Sequence, residues 1–304
     1  LSKQKISLKY FINLVYCIGL IIILFGLSEF FNIYRPFCRA YWVTFDIYCV
    51  GGPFRNPTTF GALLSIFLGL ILVKYFKFIK LNVPSILLII ITFGLGLLTQ
   101  SRAVLLQLVL VTLMISIFLR KLPMKRLIAI FLIVLLVLIL NPVLIHIFGF
   151  TLKSTFDFQE KDIQSRLSIY KLIFSELIPR NLFFGIGPGN YGFLYKDLLP
   201  PQYGFLNNLP CTHNFFLMVL VEFGIFGFAL FVFFIGRIFI KSFQKLKMNI
   251  ECDYLIVGIW VGMVVFYFGA LFETLTTVGT WFLQFILLGF LDHYIILRNS
   301  TVKK

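Results

Sequence analysis

The sequence predicts an all-α protein that crosses a membrane several times, and three observations support this fold class. First, 60% of the 304 residues are hydrophobic and only 13% are charged, about half the charged share of a typical soluble domain. Second, the apolar residues are collected into stretches long enough to cross a bilayer as helices. Third, the basic residues are collected in alternate connections between those stretches, as the positive-inside rule requires of a membrane protein.

Eight transmembrane helices are predicted, with allowance for tilt and for ends that lie in the membrane interface. They fall near 10–31, 57–73, 84–100, 103–119, 127–149, 213–236, 254–272 and 280–297. The first stretch is too long for the core of a signal peptide and has no small-residue cleavage site, so it is expected to remain as an anchor. Residues 1–304 are therefore expected to form a single membrane domain.

The charge of the connections fixes the predicted topology. Basic clusters precede the first span, follow the last and fill every second connection: Lys3–Lys9, Lys74–Lys80, Arg120–Arg126, Arg237–Lys247 and Arg298–Lys304. These clusters, and with them both termini, are expected in the cytoplasm. The remaining connections, at 32–56, 99–102, 150–212 and 273–279, are expected outside. Because topology accounts for the net charge of +15, no nucleic-acid partner is expected.

The cysteines and the acidic residues give no metal signature. The five cysteines, at positions 17, 38, 49, 211 and 252, contain no CxxC pair and no metal-ligand spacing. Cys38 and Cys49 share one external connection and could pair with each other or with Cys211, with free buried thiols as the alternative. An external acidic cluster, Asp157, Glu160 and Asp162, could bind a divalent cation, but a solvated helix edge explains it more simply.

The connection at 150–212 is the only sizeable predicted external segment. Residues 166–178 carry apolar side chains at positions 167, 170, 174, 177 and 178, which predicts an amphipathic helix at the membrane surface. Pro179 is expected to end this helix. A glycine-rich turn follows at 185–192.

Gly187, Gly189 and Gly192 in that turn match the spacing GxGxxG. No strand precedes them and no βαβ unit surrounds them, so a dinucleotide site is rejected. Two interpretations remain, a structural turn and a backbone nest for a phosphate or a sugar hydroxyl.

Polar groups gather at the start of the sixth predicted span. His213 and Asn214 stand at its entrance, and Glu222 follows about 13 Å along a continuous helix. On such a helix Gly224 and Gly227 share a face with His213, and Glu222 lies opposite. A polar helix cap with two small packing residues explains the glycines. It does not explain an intramembrane carboxylate, which marks a functional-site hypothesis, although we expect Glu222 to be buried and hydrogen-bonded rather than catalytic.

Two external arginines occupy unusual positions. Arg55 directly precedes Asn56-Pro57, a predicted helix cap and first-turn proline, and Arg102 begins the fourth span. A cation at a helix N-terminus is unfavourable by up to about 1 kcal/mol. An anion bound where these helix starts and His213 converge would account for both charges. The alternative is that each arginine reaches out to lipid headgroups.

These motifs together resemble the O-antigen ligase and O-antigen polymerase family. The resemblance is carried by His213-Asn214 followed by Gly224-x-x-Gly227, and by Arg55-Asn-Pro57, Ser101-Arg102, Arg166 and Gly185-Ile-Gly-Pro-Gly189 in the same order. It is best over 84–236, which would be the family core, with 150–212 as its large external loop. Family members usually have about twelve helices, whereas eight are predicted here.

The resemblance implies a glycosyltransferase fold of the C type in the bacterial cytoplasmic membrane. The implied reaction transfers a glycan from undecaprenyl diphosphate to an acceptor on the outer face, without a metal or other cofactor. The acceptor would be a lipid A-core, a protein or another lipid-linked glycan, which distinguishes a ligase from a polymerase. The alternatives are a transporter or flippase of lipid-linked oligosaccharides and a non-catalytic membrane assembly protein.

The resemblance also implies roles for individual residues. His213 would activate or orient the acceptor hydroxyl. Arg102 and Arg166 would bind the donor diphosphate, with Arg55 as a further member. Supporting roles would fall to four residues around them: Asn214, Glu222, Gly187 and Gly189.

Overall fold

The structure, a computed structural model, describes residues 2–31, 33, 56–78, 83–99, 101–119, 160–198, 212–248, 254–273 and 283–294. All regular secondary structure in these ranges is helical, as predicted. Several predicted features lie outside the described residues: the span at 127–149, Arg55, Asp157, and the cysteines at 38, 49, 211 and 252.

The described helices overlap seven of the eight predicted spans, although the first begins earlier, at Ser2, and the helix at the sixth span ends later, at Met248. In chain order they are α1 (Ser2–Phe30), α2 (Pro57–Phe78), α3 (Val83–Leu98), α4 (Arg102–Leu119), α5 (Glu160–Leu172), α6 (Ile178–Asn181), α7 (Tyr191–Leu198), α8 (Phe215–Met248), α9 (Tyr254–Gly269) and α10 (283–294). One stretch in the described part, Phe215–Leu246 within α8, is by itself long and apolar enough to cross a bilayer, and several shorter apolar helices accompany it. The predicted count of eight spans stays a prediction.

Polar caps start the helices at the positions that the sequence indicated. The side-chain oxygen of Asn56 accepts hydrogen bonds from the backbone N–H groups of Thr58 at 2.9 Å and Thr59 at 3.4 Å, and α2 begins at Pro57. Ser101 caps α4, because its hydroxyl accepts from the N–H of Val104 at 3.5 Å. Such caps satisfy N–H groups that have no partner inside the helix.

Helix α2 forms the centre of the described bundle. Residues 59–73 are buried without exception, and α1, α3, α4 and α9 pack around them. The closest packing is against α9, where a Cβ added at Gly69 would lie 2.7 Å from the carbonyl oxygen of Gly258. A Cβ at Gly262 would lie 2.7 Å from the Cα of Ile66. The motif Gly258-x-x-x-Gly262 thus allows two helix backbones to touch, as small residues do in membrane proteins.

Helix α8 is broken at Gly224, which corrects the prediction of one continuous helix. Gly224 has φ 65° and ψ −173°, values that are not helical. The rings of Phe215 and Phe231 lie 5.6 Å apart, whereas the two Cα atoms of a straight helix would be about 24 Å apart. The break therefore turns residues 215–223 back toward the longer half, and the helical faces assigned to Glu222 and the glycines do not apply.

The glycine-rich segment after α6 caps both sides of this break. The N–H groups of Ile186 and Gly187 donate to the carbonyls of Val221 and Glu222, each at 3.0 Å. On the other side, the N–H of Ile225 donates to the carbonyl of Leu182 at 2.8 Å. Backbone groups that the broken helix leaves without partners are thereby satisfied, which a membrane interior demands.

Glycine is needed on both sides of this contact. A Cβ at Gly224 would lie 2.3 Å from the carbonyl oxygen of Phe183, and one at Gly185 would lie 2.4 Å from the backbone of Glu222. Both glycines also have positive φ, which side chains disfavour. The two motifs Gly185-Ile-Gly-Pro-Gly189 and Gly224-x-x-Gly227 are therefore the two halves of one backbone junction.

Pro179 does not end the external helix, contrary to the prediction. Helix α5 continues through a wider π turn, Ile173–Leu177, into α6, which contains Pro179. In the π turn the N–H of Ile178 donates to the carbonyl of Ile173, five residues earlier. This wider turn lets the chain stay helical next to a residue that lacks an N–H and would crowd a regular α-helix.

One side of α5 and of the π turn that follows it is buried by tertiary packing. Ile169, Ile173 and Leu177 are buried, whereas Leu167 and Phe174 are exposed. The buried face packs against a cluster on the first half of α8 and the start of α7, formed by Leu217, Val221 and Tyr191. Apolar residues occur on two sides of the helix, and tertiary packing selects one of them.

Candidate functional site

The start of α8 holds His213 in a fixed position. Asn214 is the N-cap, since its side-chain oxygen accepts from the N–H of Leu217 at 2.9 Å. The Thr212 hydroxyl donates to the Asn214 carbonyl at 2.6 Å, and the N–H of Phe215 donates to the carbonyl of Ala270 at 2.8 Å. His213 has φ 49°, a conformation that is uncommon outside glycine and is concentrated at functional sites. The backbone that carries the imidazole is thus hydrogen-bonded to the residue that follows α9.

Glu273 lies beside His213. The distance between Nδ1 of His213 and Oε1 of Glu273 is 3.7 Å, and the two side chains are 20% and 12% exposed. Because the N–H of Phe215 is bonded to Ala270, the chain that leaves α9 passes alongside the start of α8. Residues 270–273 therefore place the carboxylate of Glu273 beside the imidazole of His213.

The sequence analysis assigned no role to Glu273. A signal was nevertheless present. Glu273 opens a connection predicted to be external, the same side of the membrane as His213. An acid and a histidine at the same end of consecutive spans are candidates for a contact in one functional site.

Arg166 joins the same end of the bundle. It lies on α5, and its Nη1 donates to the carbonyl of Phe272 at 3.3 Å. Phe272 directly precedes Glu273, so the structure brings Arg166, Glu273 and His213 together around one short segment. Two of the residues expected in the site, Arg166 and His213, thus contact the same short segment, 272–273. The side chain of Arg102, like all of Arg55, lies outside the described residues.

The expected supporting residues lie at the helix break. Glu222 is buried, and its backbone carbonyl accepts from Gly187. The N–H of Asn190 donates to the carbonyl of Gly187 at 3.3 Å, which closes the turn that contains Gly189. Since the N–H of Gly187 is used within the chain, the structural-turn interpretation of this segment is favoured over a phosphate nest.

This arrangement has defined chemical capacities. A carboxylate on the Nδ1 side of an imidazole favours a proton at Nδ1 and leaves Nε2 able to accept one. The Arg166 guanidinium has five N–H donors, of which Nη1 supplies one to Phe272, and its planar fork suits phosphate oxygens. The site can therefore accept a proton and bind an anion within one small region.

Comparison with known proteins supports the resemblance drawn from the motifs. Residues 85–232 match the family model described as O-antigen ligase. These residues belong to the O-antigen ligase family. The matched range contains Arg102, Arg166 and His213, whereas Glu273 lies beyond it. No curated protein and no solved structure matches the chain.

Proposed function

We propose that the chain is a membrane glycosyltransferase that moves a glycan from undecaprenyl diphosphate to an acceptor on the outer face of the cytoplasmic membrane. The O-antigen ligase family is one of glycan-transferring enzymes of the bacterial inner membrane, which supports the general reaction. One observation carries the proposal. The carboxylate of Glu273 lies 3.7 Å from the imidazole of His213, and Arg166 donates a hydrogen bond to the carbonyl of Phe272, the residue before Glu273. A ligase and a polymerase would share this chemistry and differ in the acceptor.

In the proposed reaction, His213 takes the proton of the acceptor hydroxyl. The acceptor oxygen forms a bond to the anomeric carbon of the glycan while the bond from that carbon to the diphosphate oxygen breaks. The hydroxyl proton passes to Nε2 of His213, and the diphosphate departs with the bonding electrons. A positioned imidazole acting as a general base typically contributes about 10²–10⁴-fold to the rate.

Glu273 is a positioning residue in this proposal. Its carboxylate faces Nδ1, so a proton at Nδ1 holds the ring with Nε2 directed away from Glu273 and toward the acceptor. The separation of 3.7 Å is longer than a hydrogen bond, and such contacts often shorten when substrate binds. The carboxylate also stabilises the imidazolium that forms as the proton arrives.

Arg166 would bind the leaving diphosphate, together with Arg102 and Arg55. Negative charge grows on the diphosphate as the glycan leaves, and preorganised cations stabilise that charge more strongly in the transition state than in the ground state. Arginines that supply this charge make a metal ion unnecessary. Glycine-rich residues 185–189 and Glu222 support the site through the junction that holds the start of α8.

The proposal is tested by reconstituting the purified protein into vesicles with an undecaprenyl-diphosphate-linked glycan and a candidate acceptor. Transfer of the glycan to the acceptor, unchanged by EDTA, is the expected result. Movement of the donor across the bilayer without transfer would instead identify a flippase. Transfer that stops on chelation and returns with magnesium would contradict the metal-independent mechanism.

A further inference from the structure

Two buried polar side chains near the starts of α2 and α4 have no hydrogen-bond partner within the described part of the chain. Thr59, in the first turn of α2, is fully buried, and Gln107, in the second turn of α4, is 2% exposed. The hydroxyl oxygen of Thr59 and the amide oxygen of Gln107 are both without a partner there. A buried oxygen of this kind lowers stability unless something binds to it, so each one requires an explanation.

Other buried hydroxyl groups on the same two helices are satisfied by the preceding turn. Ser65 on α2 donates to the carbonyl of Ala62 at 2.7 Å. On α4, Thr112 and Ser116 donate to carbonyls four residues earlier, at 2.9 and 2.6 Å. This is the usual bond of serine and threonine inside a helix. Thr59 departs from the pattern, so its hydroxyl is available to a bound group.

The packing of α2 against α9 places Thr59 beside the end of α9. The two helices are antiparallel and touch where Ile66 meets Gly262. Seven residues, about two turns, separate Ile66 from Thr59, and seven separate Gly262 from Gly269. Thr59 is therefore level with Gly269, the last residue of α9, and lies on the face of α2 that meets α9.

The amide of Gln107 enters the same place from α4. A Cβ added at Gly269 would lie 1.4 Å from Nε2 of Gln107, so the amide occupies the space toward which a side chain at this position would point. That space faces α2, because Gly269 is on the same side of α9 as Gly262. Thr59 and Gln107 therefore face one small region between α2, α4 and α9, three helices that pack pairwise on one another.

The chemistry of this region suits a water molecule. The amide oxygen of Gln107 only accepts hydrogen bonds, whereas the hydroxyl of Thr59 can donate and accept, so the ligand must carry an O–H or N–H group. An ion is disfavoured, because neither side chain supplies a compensating charge. Since both side chains are closed off from solvent, a sugar could not reach them unless the helices moved apart. Water is small enough and commonly bridges buried polar groups.

We infer that Thr59 and Gln107 bind one ordered water molecule, which links α2, α4 and the last turn of α9. This site supports the segment that follows α9, because Gly269 directly precedes Ala270, whose carbonyl accepts from the N–H of Phe215. Loss of the water should loosen that segment. The inference does not rest on the proposed transfer reaction, and its test uses no glycan.

Thermal unfolding in detergent tests the site through two substitutions that conserve shape. Thr59→Val and Gln107→Met each remove one partner of the water. Each should lower Tm by about 2–4 °C, the shift for one lost buried hydrogen bond in a chain of roughly this size. The double variant should lose less than the sum of the single losses, because one water serves both residues. Thr112→Val is the control, since it loses the bond to Leu108 but should be additive with Gln107→Met.

Hydrogen exchange reports on the supported segment. The backbone N–H groups of residues 270–273 should exchange faster in Thr59→Val than in the parent, whereas Thr112→Val should leave their exchange unchanged. Equal rates in both variants would show that the site does not support this segment.

The inference fails if Tm stays the same or rises in both Thr59→Val and Gln107→Met, because removing a truly unpaired oxygen costs nothing. Additive losses would likewise exclude a shared water. A direct hydrogen bond between the two side chains would also couple them, and a map of the parent protein from cryo-electron microscopy separates these cases. We expect density for one water about 2.7–3.2 Å from both oxygens, and direct contact between the side chains would overturn the inference. This last measurement needs no variant to fold.

Discussion

Nδ1 of His213 lies 3.7 Å from Oε1 of Glu273, although His213 precedes the start of α8 and Glu273 follows the end of α9. The relationship depends on the hydrogen bond from Phe215 to Ala270, which draws the start of α8 to the end of α9. Arg166 is bonded to Phe272, so the segment after α9 is held from two sides. An imidazole, a carboxylate and a guanidinium are thereby brought to one end of the bundle.

If Glu273 positions His213, replacing its charge should slow transfer without affecting donor binding. We expect Glu273→Gln to lower kcat about 10–100-fold, the usual effect of removing a residue that orients another group. Measurement of kcat and donor affinity across pH separates this role from a structural one, because the pH dependence of kcat should change. Asp292→Asn, an acid on α10 near its end, is the matched control and should leave kcat unchanged. Equal activity of both variants would remove Glu273 from the site.

Arg166 is expected to act on both binding and rate. Arg166→Ala should weaken donor binding and lower kcat further, because charge on the diphosphate increases as the glycan leaves. Arg166→Lys should restore only part of the activity, since lysine keeps the charge but loses the planar fork. Arg180→Ala is the control, because an exposed ion pair is worth only about 0–1 kcal/mol. Unchanged donor affinity in Arg166→Ala would contradict this assignment.

The effects of Arg166 and Glu273 should not be additive. Both residues act through the segment 272–273, and sites that share partners are coupled. Comparison of Arg166→Ala and Glu273→Gln with their double variant should therefore give a rate loss smaller than the product of the single losses.

Gly224→Ala should destabilise the protein by about 1–3 kcal/mol or more, the range for a strained backbone residue, with a clash in addition. The added Cβ would lie 2.3 Å from the carbonyl oxygen of Phe183 at a positive φ. Gly236→Ala, in the same helix with nothing within 4 Å of the added Cβ, should be neutral or slightly stabilising. Thermal unfolding in detergent measures both. A similar melting temperature for the two variants would show that the junction at the break contributes little.

Glu222→Gln should fold and retain substantial transfer activity, because the contact with Gly187 is made by the backbone carbonyl of Glu222 rather than by its side chain. Glu222→Ala should impair folding, since it leaves a void where a buried side chain packed. The measurement is the transfer rate of the folded fraction isolated by gel filtration. A correctly folded but inactive Glu222→Gln would make the acid catalytic.

The positions of the helices could be predicted because they depend on local signals. Apolar stretches predicted the helices, and cap residues such as Asn56 and Asn214 predicted where two of them start. These residues act within one turn of their own positions, so no tertiary information is needed.

The break at Gly224 could not be predicted in the same way. No proline interrupts the apolar stretch, and a glycine in a membrane helix more commonly indicates packing. The break is stable only because a distant segment, Leu182–Gly187, caps both new ends. The approach of Glu273 to His213 likewise depends on how α8 and α9 pack. Gly258-x-x-x-Gly262 was a local signal for the packing of α9 against α2 that the sequence analysis did not use.

His213→Ala tests the central claim most directly. If His213 is the general base and the arginines bind the diphosphate, this variant should bind the undecaprenyl-diphosphate donor with nearly the affinity of the parent, while turnover falls by about 10²–10⁴-fold. Asn214 and Thr212 keep the helix start intact in the variant, so folding should be preserved. Glycan transfer at a rate near that of the parent would contradict the account.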